Sequence, residues 1–163
     1  MQVCVQQYCL EKRRFQVFNQ KGICKCYAVK KPTYIKKKFY LYGADNDEQL
    51  LCISKSLTVN YGRFKILGVD GNILGKVRTR RVFGGYQEVI CNSTYGRIVI
   101  KRRVYSDRFK IYCDKDLIGA ILQKKYELKY LLDVQNDKYL NICISLVIIL
   151  SLYEANTMYR KTF

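Results

Sequence analysis

The side chains in this chain whose types and spacing could support chemistry are cations. From Ile73 to Arg80 the sequence reads ILGKVRTR, and from Arg97 to Arg103 it reads RIVIKRR. Successive side chains of an extended strand face opposite ways. Lys76, Arg78 and Arg80 therefore share the face opposite Ile73, Gly75 and Val77, and Arg97, Lys101 and Arg103 share the face opposite Ile98 and Ile100. Guanidinium forks and ammonium groups gathered in this way suit phosphate oxygens. The expected partner is an anionic phospholipid headgroup, a phosphoinositide or another anionic membrane surface, with each cation contributing about 1 kcal/mol. The alternative for the same pattern is a solvated exterior with no specific ligand.

Other chemistry finds little support. The chain has no histidine, so the commonest general base and metal ligand is missing. No G-x-S-x-G, P-loop or dinucleotide fingerprint occurs. Phe83-Gly84-Gly85 is a two-glycine loop, and Asp114 and Asp116 stand two apart in a turn. The eight cysteines, Cys4, Cys9, Cys24, Cys26, Cys52, Cys91, Cys113 and Cys143, are scattered among apolar neighbours without C-x-x-C spacing. Only Cys24 and Cys26 are close enough to share a strand face, and burial as small hydrophobes is favoured over a zinc site. The start MQVCVQQYCL lacks the pattern of a signal peptide, so reduced thiols and a cytoplasmic setting are expected. No catalytic residue, metal or cofactor is expected.

These cations lie on elements that read as short strands. Across residues 1–134, β-branched and aromatic residues recur in runs of five to eight between turn signals. Hairpin-sized units begin at Phe15, Phe39, Phe64, Tyr86 and Phe109, spaced 24, 25, 22 and 23 residues apart. Turns fall at Asn19–Gly22, Gly43–Glu48, Val69–Asn72, Asn92–Gly96 and Asp114–Asp116, and the Asp70-Gly71 pair is a strong hairpin mark. The final strand is placed at Tyr126–Val134, and Lys36-Lys37-Lys38 in a loop. Gly75, Gly96 and Gly119 sit early in three successive returning strands. For Gly75 and Gly119 this points to close approach by another element, the helix being one choice. Gly96 fits turn geometry better.

Five hairpins plus one strand at each end give about twelve strands. An open sheet of that width leaves edges to protect, and closure removes them. A barrel of twelve strands is too wide for its own side chains to fill, since about eight is the size that packs solid. The filler is the stretch Tyr139–Tyr153, YLNICISLVIILSLY, apolar on every side of a helical wheel. About fifteen residues interrupted by Asn141, Ser145 and Ser151 fall short of the roughly 20 that a bilayer span needs. A buried helix over about 137–158, capped by Asn136 or Asp137, is therefore preferred to a tail anchor. The expected fold is mainly β: one domain over residues 1–163, a closed twelve-stranded antiparallel barrel of hairpin repeats enclosing a C-terminal hydrophobic helix.

The chain resembles the tubby C-terminal-like superfamily, which includes the tubby proteins, the phospholipid scramblases and the LURF-one-related proteins, and it is closest to the last of these. The resemblance covers nearly the whole chain. It is carried by VCVQQYCLEKRRFQVFNQKG (Val3–Gly22), FKILGVDGNILGKV (Phe64–Val77), FKIYCDKDLIGAI (Phe109–Ile121) and a terminal apolar helix led by an Asn/Asp turn. It implies a twelve-stranded barrel around a central hydrophobic helix, with Glu154 in the place of an acidic residue that relatives carry near the helix end. The scramblases' proline-rich region, palmitoylated cysteine cluster and acidic calcium motif have no counterpart here, which weighs against scramblase activity. No binding site is carried over from the tubby proteins.

With 30 Lys plus Arg against 13 Asp plus Glu and a formal charge of +17, an anionic partner is expected. The functional expectation is a non-enzymatic module for anionic membrane lipid headgroups, cytoplasmic and peripheral at the membrane, using Lys76, Arg78, Arg80, Arg97, Lys101 and Arg103. The alternatives are a scaffold with an unnamed protein partner, or single-stranded nucleic-acid binding through the chain's fifteen tyrosines.

Overall fold

The computed structural model describes residues 1–8, 13–31, 37–55, 63–82, 86–103 and 105–159. Twelve strands follow one another in chain order: β1 Gln2–Gln7, β2 Arg13–Asn19, β3 Cys24–Lys31, β4 Lys37–Gly43, β5 Gln49–Lys55, β6 Arg63–Leu67, β7 Ile73–Val82, β8 Tyr86–Ser93, β9 Gly96–Arg103, β10 Arg108–Cys113, β11 Asp116–Lys124 and β12 Lys129–Val134. Each pairs antiparallel with its sequence neighbours, and β1 pairs with β12 through Val3↔Leu132 and Val5↔Tyr130, so the meander closes into a barrel. Closure leaves no free sheet edge. The expected turns form at Gln20–Gly22 and Val69–Gly71, with Gly22 and Gly71 at positive φ.

The helix α1, Leu140–Tyr159, follows a single 3-10 turn at Asp137–Tyr139, whose start the Asn136 side chain caps by accepting from the Lys138 N–H at 3.0 Å. Every residue from Ile142 to Ser151 is buried. The wall supplies the matching surface: Val5, Phe15, Leu41, Ile53, Ile66, Cys91, Ile98, Ile111 and Ile121, one from each of nine strands, belong with the helix to a single apolar core. Phe15, Phe39, Phe64 and Phe109, which open four of the five hairpin units, are all buried. The helix serines cost little. Ser145 donates back to the Asn141 carbonyl at 2.8 Å, and Ser151 donates to Gln7 on β1 at 2.6 Å.

Two glycines make room for neighbours. A Cβ on Gly119 would stand 2.4 Å from the Asp133 carbonyl oxygen on β12, and one on Gly75 would meet Cys91 Sγ at 2.6 Å and Ile142 of the helix at 3.7 Å. The neighbouring strands, more than the helix, claim that space. Gly96, at φ +116°, is a turn glycine.

Some boundaries differ from the sequence expectation. Lys37 and Lys38 belong to β4, because Lys38 is drawn into the ladder between Lys31 and Ser54. The last strand begins at Lys129 rather than Tyr126: Lys125–Glu127 forms a 3-10 turn closed by Leu128 at φ +52°, which leaves Tyr126 in solvent. Pro32, Phe83-Gly84-Gly85, Lys36 and Cys9 lie outside the described residues.

The buried thiols behave as hydrophobes. Burial pushes Cys26, Cys91 and Cys143 up to about 12 from an ordinary 9.0. Because the folded-state values are raised, the stability these thiols contribute is fully present below pH 9, where the unfolded chain also keeps them neutral. It is lost as pH rises from about 9 toward 12, where only the unfolded chain ionises. The expected result is that the native protein at pH 8 resists iodoacetamide at these three positions, and that its melting temperature falls progressively above pH 9. Mass spectrometry of alkylated peptides and a melting series in pH check this. Ready alkylation, or a flat melting temperature from pH 8 to 11, would refute it.

Candidate anion-binding face

All six cations singled out in the sequence are exposed on the outer wall, Lys76, Arg78 and Arg80 on β7 and Arg97, Lys101 and Arg103 on β9. They do not form one uninterrupted patch. Strand β8 runs between them, and the register aligns three rungs across the wall: Arg80, Glu88 and Lys101; Arg78, Ile90 and Val99; Lys76, Asn92 and Arg97. Beyond Arg78 the middle rung is apolar, with Ile90 only 1% exposed.

Glu88 changes the electrostatics of the first rung. Its side chain is 10% exposed and accepts from Arg80 Nε at 2.9 Å and Nη2 at 2.7 Å, and Lys101 Nζ stands 3.4 Å from its other oxygen. Burial by itself would lift this carboxyl, but Arg80 and Lys101 outweigh it and hold the group below the usual carboxylate value. Arg80 and Lys101 are thus engaged within the wall. Of the expected six, Arg80 and Lys101 already face an anion, and it comes from the intervening strand.

On the other side of β7 the structure adds cations that the sequence reading passed over. Arg63 and Lys65 of β6 are exposed and stand directly opposite Arg78 and Lys76 respectively. Two successive outward rungs are therefore like-charged pairs, Arg63 with Arg78 and Lys65 with Lys76. Directly opposed residues hold their Cβ atoms about 4.5–5.5 Å apart, and like charges so placed are destabilising. Among the described residues none of the four has a carboxylate within ion-pair distance. The alternation RFKIL was visible in the sequence; what it could not show was which rung each cation would occupy.

The aromatic side chains give less to a stacking ligand. Tyr27 and Tyr42 stack on each other at 5.6 Å, and Lys31 Nζ lies 4.8 Å from the centre of the Tyr40 ring and 5.8 Å from that of Tyr42, so these faces are already occupied. Among the described residues no cluster of three Cys, Asp or Glu side chains could hold a metal ion, and no helix is long and apolar enough to cross a membrane. A barrel that spans a bilayer wears an apolar band about 25 Å tall. This wall instead presents Lys65, Lys76, Lys101 and Lys110 as exposed side chains within its strands.

The fold and this face define a closed, plugged β-barrel with a cationic stretch on its outer wall. Comparison with protein-family models, with curated proteins and with solved structures finds no match.

Proposed function

We propose that this chain is a non-enzymatic binding module of tubby-like kind that holds phosphoinositides or other anionic membrane lipid headgroups on the outer wall of its barrel. The observation that carries the reading is the square of Arg63, Lys65, Lys76 and Arg78, four exposed cations on two adjacent strands with like charges facing across each rung. Repulsion that folding tolerates at four neighbouring positions is relieved when a polyanion sits among them, and the binding energy includes that relief. Arg97 extends the same surface across Asn92. Arg103 lies farther along β9 and is expected to meet a broad surface rather than a single headgroup.

The test is sedimentation with vesicles of phosphatidylcholine alone and of phosphatidylcholine with phosphatidylinositol bisphosphate. Binding is expected only to the anionic vesicles. The variant Arg63→Gln/Lys65→Gln/Lys76→Gln/Arg78→Gln should bind more than about a hundredfold more weakly, at about 1 kcal/mol for each cation and tenfold for each 1.4 kcal/mol. It should also melt no lower than the parent, since the repulsion has been removed. Equal binding to both vesicles, or undiminished binding by the variant, overturns the proposal.

A further inference from the structure

The wall is not cationic all the way round. On the outer face of β10, β11, β12 and β1 the register lines up one rung of Arg108, Leu122, Leu131 and Cys4, and beside it a second of Lys110, Ala120, Asp133 and Gln2. These rungs floor a groove of about 660 Å³ that ends at Asn19, the last residue of β2, and Gln20 of the turn after it. The middle of its floor is apolar and open to solvent: Leu131 is 38% exposed, Ala120 is exposed, and Leu122 and Cys4 are half-buried. Its charged rim is asymmetric. Arg108 and Lys110 stand together at the β10 end, and among the described residues neither has a carboxylate partner. Asp133, two strands away, already accepts from Gln2 Nε2 at 3.2 Å and lies 4.0 Å from the Met1 ammonium. Along the next rung Lys124 and Lys129 are both paired with Glu127.

The geometry points to a binding site for one long-chain fatty acid anion, its carboxylate on Arg108 and Lys110 and its chain lying across β11 and β12 toward β1. The charge fits, because two cations with no carboxylate partner among the described residues sit at one end of the furrow and the apolar residues lie beyond them. An Arg fork takes both oxygens of a carboxylate. The floor is long enough for the carboxylate half of such a chain. Three strand spacings of about 4.8 Å give a floor about 14 Å long, and the volume lies within the range of small-molecule sites, about 300–1,000 Å³. This site uses none of the residues of the headgroup square and does not rest on that reading.

The experiment is titration of the full chain with oleate below its micellar concentration, followed by displacement of a fluorescent fatty acid. The expected result is saturable binding of one oleate per chain. Affinity should fall at least tenfold in Arg108→Gln/Lys110→Gln and in Leu122→Gln/Leu131→Gln, and it should be lost in Ala120→Trp, which fills the groove from an exposed position. Oleyl alcohol, with the chain but not the charge, should bind at least tenfold more weakly. Melting curves confirm that each surface variant is folded. Absence of saturable oleate binding overturns the site, as does undiminished affinity in all three variants. Loss of oleate binding in the Arg63, Lys65, Lys76 and Arg78 variant would also overturn it, by moving the carboxylate to the other face. Retention there alongside lost vesicle binding separates the two sites.

Discussion

A chain that stops at Asn136 is expected to lose cooperative unfolding altogether. It would retain all twelve strands, so the prediction isolates what the helix contributes. Ten consecutive positions, Ile142 to Ser151, are buried, and Leu146, Val147, Ile148, Ile149 and Leu150 are wholly inaccessible to solvent. Without them the inward side chains of nine or more strands face an empty lumen, and a wall of this circumference cannot contract to fill it. The truncated chain should bind anilinonaphthalene sulfonate, lose near-ultraviolet dichroism and melt without a defined midpoint, as loosely packed states do. Smaller lesions should scale. Leu146→Ala removes buried methylenes and leaves a cavity, for an expected loss of about 2–5 kcal/mol, with each kcal/mol worth about 2–4 °C of melting temperature at this chain length. Ile148→Asp places an unpaired carboxylate at a wholly buried position where the hydroxyls on its helix face, Ser145 and Ser151, are already donated to Asn141 and Gln7, and should prevent folding. A truncated chain that stays soluble and melts cooperatively would show that the wall stands without its plug.

Period governs how much of this was legible in the sequence. The helix stood out because Ile142 to Leu150 is apolar in every direction, and only a surrounding wall or a bilayer accepts that. The strands stood out through alternation and through Phe15, Phe39, Phe64 and Phe109 at hairpin spacing, and the number of strands then required closure. What alternation cannot give is register. That Glu88 falls between Arg80 and Lys101 depends on how β8 is paired on both sides, and no local pattern fixes it. The groove is hidden for the same reason: Leu122 and Leu131 each look like single outward leucines until pairing makes them neighbours. Arg102 shows the same limit. The alternation that put Arg97, Lys101 and Arg103 outside also puts Arg102 inside with Ile98 and Ile100, and a cation on the inner face needs a partner. Its partner lies 52 residues on in the sequence, where nothing local marks it.

That partner makes the second large prediction. At the C-terminal end of the plug Arg102 and Glu154 form an ion pair in which each side chain is 13% exposed. The pair is fully supported by hydrogen bonds. Arg102 also donates through Nε to Gln87 at 2.9 Å and through Nη1 to Gln123 at 2.9 Å, and its guanidinium lies 4.6 Å from the Phe109 ring centre. The second oxygen of Glu154 accepts from Gln123 at 2.7 Å and from the Tyr130 hydroxyl at 3.1 Å. Strands β8, β9, β11 and β12 are thereby joined to the helix by polar contacts at its C-terminal end. Losing one partner leaves a charge in a site from which water is largely excluded, which typically costs about 3–5 kcal/mol. Arg102→Met and Glu154→Gln should each lower stability by an amount near the bottom of that range, because the site is not completely dry. The double variant Arg102→Met/Glu154→Gln should lose less than the sum of the two, with a coupling of at least about 1 kcal/mol in a double-mutant cycle, since no unpaired charge then remains. Urea unfolding of the four proteins measures this directly. Strict additivity would mean that the two charges are held independently, and that the helix is fixed in the barrel by its apolar surface alone.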